Sequence, residues 1–224
     1  MTIPVDILSD PICPWCYIGK TRLERALQER PGHPLVFAWR PFQLNPDMPP
    51  EGMDRTAYLE RKFGGPDGAR EVYGAIERAA EADGLVVNFD RIKRTPNTLD
   101  AHRVIGWAEE EDLQGRVVDA LFEKYFVEGE DLSDRDLLAG VADTAGLDAE
   151  RVRSALETDV DLDKVRQQDA AARQAGISGV PTFIVNARHV VPGAQDTPLW
   201  LRVIDELSEA LEAHREQQGR ETAS

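Results

Sequence analysis

The chain has 224 residues, enough for one large domain or a domain with an insertion, and for a sizeable core. Its net charge of −15 argues against nucleic acid and anionic membrane surfaces as partners. No apolar run approaches the roughly 20 residues needed to span a bilayer.

Ile3 to Leu8 is a short apolar run and reads as a buried strand. It starts so early that there is no room for a signal peptide, so the expected location is the cytoplasm. Ser9-Asp10-Pro11 breaks the strand, and Cys13-Pro14-Trp15-Cys16 follows. These are the chain's 2 cysteines. Pro14 suits a first helical turn, and Cys16, Leu23 and Leu27 share one face of a helix from about Pro14 to Arg30. Cys13 then sits at the helix start, where partial positive charge and unpaired N–H groups favour a thiolate. Cys16 lies one turn in, facing the core, placed to resolve a mixed disulfide formed by Cys13. In a cytoplasmic chain such a pair reads as redox-active, not structural. A static pair is the plainer alternative. A zinc site needs four ligands, and His33, His102, His189 and His214 are scattered, so no metal is expected.

Leu35 to Trp39 is a second strand. Strand, helix and strand in that order imply a parallel pair with a right-handed crossover. Arg40 to Pro46 leaves the sheet. From about Asp54 to Gln174 helical patterns repeat and no convincing strand appears. Leu113, Val117, Leu121 and Tyr125 recur at every fourth position. The aromatic stripe of Phe122, Tyr125 and Phe126 reads as helix packing, not as a cofactor site. Asn97 is a candidate helix N-cap with Asp100 three residues on, close to a capping box. The alternative puts Asn97 and His102 at the rim of the thiol site. Thr182 to Val185 and His189 to Val191 read as a β-hairpin. Thr197-Pro198 opens a final helix carrying Trp200, Ile204, Leu207 and Leu211, and a polar tail is expected from Arg215.

This order resembles the thioredoxin architecture with a helical insertion. Three stretches resemble the DsbA family of oxidoreductases, in its FrnE-like branch, which is similar to 2-hydroxychromene-2-carboxylate isomerases. They are Ser9 to Gly19, Asn97 to Arg103, and Gly176 to Phe183 (Gly-Ile-Ser-Gly-Val-Pro-Thr-Phe), with Gly193-Ala194-Gln195 adding to them. The fold class implied is α/β, a thioredoxin fold with a mixed central sheet and a large all-helical insertion. Residues 1–52 and 175–214 would form the thioredoxin-like domain, 53–174 the insertion and 215–224 a flexible tail.

The resemblance also implies roles. Pro181 matches the family's cis-proline, which lies against the thiols. Val180 would pair through its backbone with an extended substrate strand. Pro14 and Trp15 would tune the motif and meet substrate. The implied activity is dithiol–disulfide exchange or isomerisation on protein or small-molecule disulfides. One alternative is a glutathione-dependent isomerase or transferase, although such relatives carry serine where Cys13 stands. Another is a non-enzymatic redox-sensing or chaperone-like binding module. No bound cofactor is expected. With no second cysteine pair, glutathione or another external thiol is the expected redox partner, and a homodimer is compatible with the sequence.

Overall fold

The computed structural model describes residues 2–221. In chain order they form strand β1 (Ile3–Ser9), helix α1 (Pro14–Glu29), β2 (Leu35–Pro41), a two-residue strand β3 (Met53–Asp54), α2 (Arg55–Phe63) and α3 (Pro66–Ala82). A second two-residue strand, β4 (Arg94–Thr95), precedes α4 (Leu99–Trp107), α5 (Gln114–Phe122), α6 (Arg135–Ala145), α7 (Ala149–Leu156) and α8 (Leu162–Gln174). The hairpin of β5 (Thr182–Val185) and β6 (His189–Pro192) leads into α9 (Thr197–Glu221).

The main sheet has the order β2-β1-β5-β6. β1 and β2 are parallel, in register from Ile3 opposite Leu35 to Ser9 opposite Pro41. β5 runs antiparallel to β1, and β6 antiparallel to β5. This is the mixed sheet of a thioredoxin-like α/β fold. The β1–β2 ladder extends two residues beyond Trp39, further than the sequence pattern indicates. Phe42 N–H still donates to Ser9 O at 3.2 Å, and Pro41 sits at the strand end, where its missing N–H is harmless. β2 is an outer strand, and Gln114 covers it. The Gln114 side chain accepts from Trp39 N–H at 2.9 Å and donates to Trp39 O at 3.2 Å. Buried Gln114 thus stands in for a neighbouring strand.

Between β2 and β5 the chain builds α2 to α8. The pairing of β3 with β4 departs from the expectation of no strand after Asp54. Two residues leave no periodic signal, and only the tertiary fold brings them together. Aspartate side chains cap three of these helices: Asp54, Asp134 and Asp148 accept from Ala57, Asp136 and Arg151 N–H at 3.1, 2.8 and 3.0 Å. α5 does not stop at Phe122 but continues as a π-helical turn over Glu123–Glu128, ending at Gly129 with φ 80°. α3 is tied to α1 at its end, where Asp83 receives Arg22 at 2.7 Å and Arg25 at 3.0 Å. Tyr17 of α1 stacks on Phe126 with ring centroids 5.8 Å apart. α9 packs along α1, fixed by Arg30 on Asp205 at 2.6 and 3.0 Å. It runs on to Glu221, past the Arg215 at which a flexible tail is expected, because its last turns remain rich in good helix formers. Residues 222–224 of that expected tail lie outside the described residues. Among the described residues no helix is long and apolar enough to cross a membrane.

Candidate active site

Leaving β1, the chain must turn sharply to start α1, and Asp10 makes the turn. Its carboxylate accepts from Ile12 N–H at 3.2 Å and its carbonyl from Cys13 N–H at 2.9 Å. Cys13 is the N-cap of α1, with extended backbone at φ −89° and ψ 111°, and Pro14 opens the first turn. Cys13 O accepts from Cys16 N–H at 3.0 Å and Tyr17 N–H at 3.3 Å. Both cysteines are free thiols, buried, and close enough for each sulfur to influence the other's ionisation. Burial pushes the Cys16 thiol well above its ordinary value, and the neighbouring Cys13 sulfur adds to the shift. The Ser9 hydroxyl and the Asp10 N–H reach the Cys16 sulfur and act weakly the other way.

The loop before β5 closes over these thiols. The Val180–Pro181 bond is cis. Cys13 Sγ donates to Val180 O at 3.6 Å, within range for a sulfur donor. Thr182 Oγ1 donates to Gly179 O at 2.7 Å and Gly193 N–H to Pro181 O at 2.8 Å, so the loop is pinned on both sides. Gly19 makes this approach possible. A Cβ there would lie 3.0 Å from Pro181 Cγ and 3.3 Å from Ala194 Cα. A glycine inside a helical pattern is the sequence signal for such a contact.

Asp10 carries more than the turn. Its second carboxylate oxygen accepts from Leu44 N–H at 2.6 Å, and Thr98 hydrogen-bonds to the group as well. It is fully buried, and desolvation outweighs these donors, raising its pKa from 3.8 to about 7. A carboxyl poised near neutrality therefore lies in the loop whose backbone touches Cys16.

Asn97 and His102 do not line the cavity beside Cys13. Asn97 binds Met48 O through Nδ2 at 2.6 Å and accepts from Leu99 N–H at 2.9 Å, tying the loop after β2 to the start of α4. It therefore caps from one residue earlier than expected, since Thr98 holds the N-cap position. Asp100 completes no capping box; it pairs with Arg103 at 2.7 Å and Arg135 at 3.0 Å. His102 is buried in the core against the Phe42 backbone, its Nε2 without a partner among the described residues. Desolvation lowers its pKa from 6.5 to about 4, so it is neutral. Thr98, between them in sequence, is the residue that reaches towards the thiols, through Asp10.

A cavity of about 230 Å³ opens on the motif. Cys13, Pro14, Trp15 and Val180 line it; Cys16 does not. Its far wall comes from α2, α3 and the π-helical turn, including Arg55, Tyr73 and Tyr125. Tyr125 thus packs in the core and also faces the thiol site, which the helix-packing reading leaves out. Arg55 and Tyr73 stand far from the motif in sequence, and their placement comes from tertiary structure alone. Among the described residues no cluster of three or more His, Cys, Asp or Glu could hold a metal ion.

Comparison with known proteins agrees with this geometry. Residues 4–205 match the DSBA-like thioredoxin domain. The chain is 30% identical over 207 residues to the uncharacterized protein YwbO of Bacillus subtilis (strain 168), covering 92% of this chain and 98% of that protein. It is 31% identical to the probable DsbA oxidoreductase SCO1869 of Streptomyces coelicolor, whose crystal structure superposes with a TM-score of 0.80 over 91% of this chain and 89% of that one. The cytosolic disulfide reductase DsbM of Pseudomonas aeruginosa, solved with GSH, shares the fold at 20% identity, with a TM-score of 0.63 over 95% and 99% of the two chains. The chain belongs to the DSBA-like thioredoxin domain family.

Proposed function

We propose that the protein is a dithiol–disulfide oxidoreductase in which Cys13 attacks and Cys16 resolves. The observation that carries this reading is the asymmetry of the pair. Cys13 lines the cavity under the cis-proline loop, and Cys16 lies outside that lining, held protonated by burial. The Cys13 thiolate attacks one sulfur of a disulfide R–S–S–R, forming Cys13–S–S–R and expelling R–S⁻. Cys16 then gives up its proton, its sulfur attacks the Cys13 sulfur, and the second R–S⁻ leaves. The substrate gains two electrons, the enzyme pair becomes a disulfide, and the two thiol protons pass to the released thiolates or to solvent. Run backwards, the same steps oxidise a dithiol.

Val180 O faces the attacking sulfur, a backbone position suited to holding an extended segment of substrate. With no further cysteine in the chain, the proposed recycling partner is an external thiol such as glutathione, acting in the cytoplasm. The presence of both thiols favours this reading over a glutathione-dependent isomerase or a non-catalytic binding module. The test is reduction of insulin disulfides and refolding of scrambled ribonuclease. Wild type is expected to be active and Cys13→Ser inactive in both. Isomerase or conjugation activity that survives Cys13→Ser and Cys16→Ser would reject the proposal.

A further inference from the structure

The cavity beside Cys13 is built from groups that thiol–disulfide exchange does not itself require. Aromatic rings run along it in contact: Phe63 meets Tyr73 edge-on at 5.8 Å, and Tyr73 stacks on Phe89 at 4.5 Å. Arg55 lies over the Tyr73 and Tyr58 rings at 5.2 and 5.5 Å. Its guanidinium donates to Tyr73 Oη at 2.6 Å and Thr95 Oγ1 at 3.1 Å, so it is held in place by neutral groups. Lys62 lies 5.3 Å from the Tyr58 ring centroid, lines the same cavity and donates to Asn45 Oδ1 at 3.4 Å. Among the described residues neither cation has a carboxylate within 4.0 Å. Tyr125 is 1% exposed and lines the cavity, and its hydroxyl has no hydrogen-bond partner among the described residues. It projects from the π-helical turn, a distortion often found at functional sites. A buried hydroxyl left unpaired is costly unless something else pairs with it.

Resting on the oxidoreductase reading above, we propose that this cavity binds one arm of a small disulfide, an aromatic thiol bearing a carboxylate. Its ring lies among Tyr58, Tyr73 and Phe89, and its carboxylate meets Arg55 and Lys62. Tyr125 Oη supplies a further hydrogen bond. The cavity's 230 Å³ is below the usual range for drug-sized ligands, which suits a single substituted ring. The arm that enters the cavity stays joined to Cys13 as the mixed disulfide, and the other arm departs.

The test is single-turnover reaction of the fully reduced protein with dithiobis(nitrobenzoate), which is aromatic and anionic, and with dithiodipyridine, which is aromatic and uncharged. The quantity read is the ratio of the two rate constants, normalised to the same ratio for dithiothreitol. Wild type is expected to favour the anionic disulfide by about tenfold or more, the scale of a hydrogen bond to a charged group. Arg55→Met should lower the ratio by about 10-fold, and Lys62→Met, at an exposed position that does not threaten folding, by a few-fold. A wild-type ratio equal to that of dithiothreitol, or ratios unchanged in both variants, overturns the proposal. Failure of wild type to react with either disulfide would instead overturn the oxidoreductase reading.

Discussion

Asp10 makes the stability of this protein depend on pH in a direction opposite to that of an ordinary paired carboxylate. Its folded pKa of about 7 lies above the 3.8 of an exposed aspartate, so the folded state holds the proton more tightly than the unfolded chain. The contribution to stability is fully present below about pH 4 and is lost as pH rises through 7. The full shift corresponds to about 4 kcal/mol, of which about 2–3 kcal/mol falls between roughly pH 5 and pH 8. Asp10→Asn cannot ionise. It keeps one oxygen for Ile12 or Leu44 N–H and leaves the other donor unpaired, a fixed loss of about 1–3 kcal/mol. Urea unfolding of the reduced proteins at each pH, followed by tryptophan fluorescence, measures the difference. The variant should gain about 2–3 kcal/mol on wild type between about pH 5 and pH 8. The constant loss of a hydrogen bond cancels in that comparison, as do all titrations common to both proteins. Parallel stability curves would refute the claim that burial holds this carboxyl protonated.

His102 acts with the opposite sign. Its depressed pKa gives stability that is present above 6.5 and lost as pH falls through about 4, so His102→Gln should flatten an acid loss of about 3 kcal/mol; an unchanged acid limb in urea titrations would contradict this. Arg103 is wholly buried and donates to Val160, Ala155 and Thr158 carbonyls at 2.7–2.8 Å while pairing with Asp100. Arg103→Met should cost about 3 kcal/mol or more, read as a fall in the denaturation midpoint, because three acceptors and a carboxylate lose their donor. Gly19→Ala should gain up to about 1 kcal/mol of helix propensity but push against Pro181 and so displace the Val180 carbonyl that Cys13 bonds, so thiol–disulfide exchange slows even where melting temperature hardly changes. Unaltered exchange kinetics would remove Gly19 from the site. Gln114→Ala uncovers the β2 edge and should cost about 1–3 kcal/mol, with increased aggregation on light scattering.

The thiol motif, the parallel pair and the closing hairpin were legible because each rests on local signals. Two cysteines one helical turn apart, a proline at the first helical position and short apolar runs need no tertiary context. The cis bond before Pro181 entered only through family resemblance, since nothing in its neighbours dictates it. Asn97 is ambiguous because a residue that caps and one that touches substrate look alike in sequence; here its side chain ties the loop after β2 to the start of α4. Asp10 reads as a turn former, and only burial among Leu44, Thr98 and the motif changes its proton affinity. The wall opposite Cys13 was illegible for another reason. Arg55, Tyr73 and Tyr125 come from three separate elements, and the π-helical turn that carries Tyr125 leaves no trace in a four-residue apolar spacing.

The most direct test of the account is covalent trapping followed by intact-mass and peptide analysis. Incubated with a disulfide substrate, Cys16→Ser should accumulate one stable mixed disulfide, located on Cys13, and Cys13→Ser should accumulate none. An adduct on Cys16 in the Cys13→Ser protein, or no adduct on Cys13 in the Cys16→Ser protein, would contradict the assignment of the attacking and resolving sulfurs.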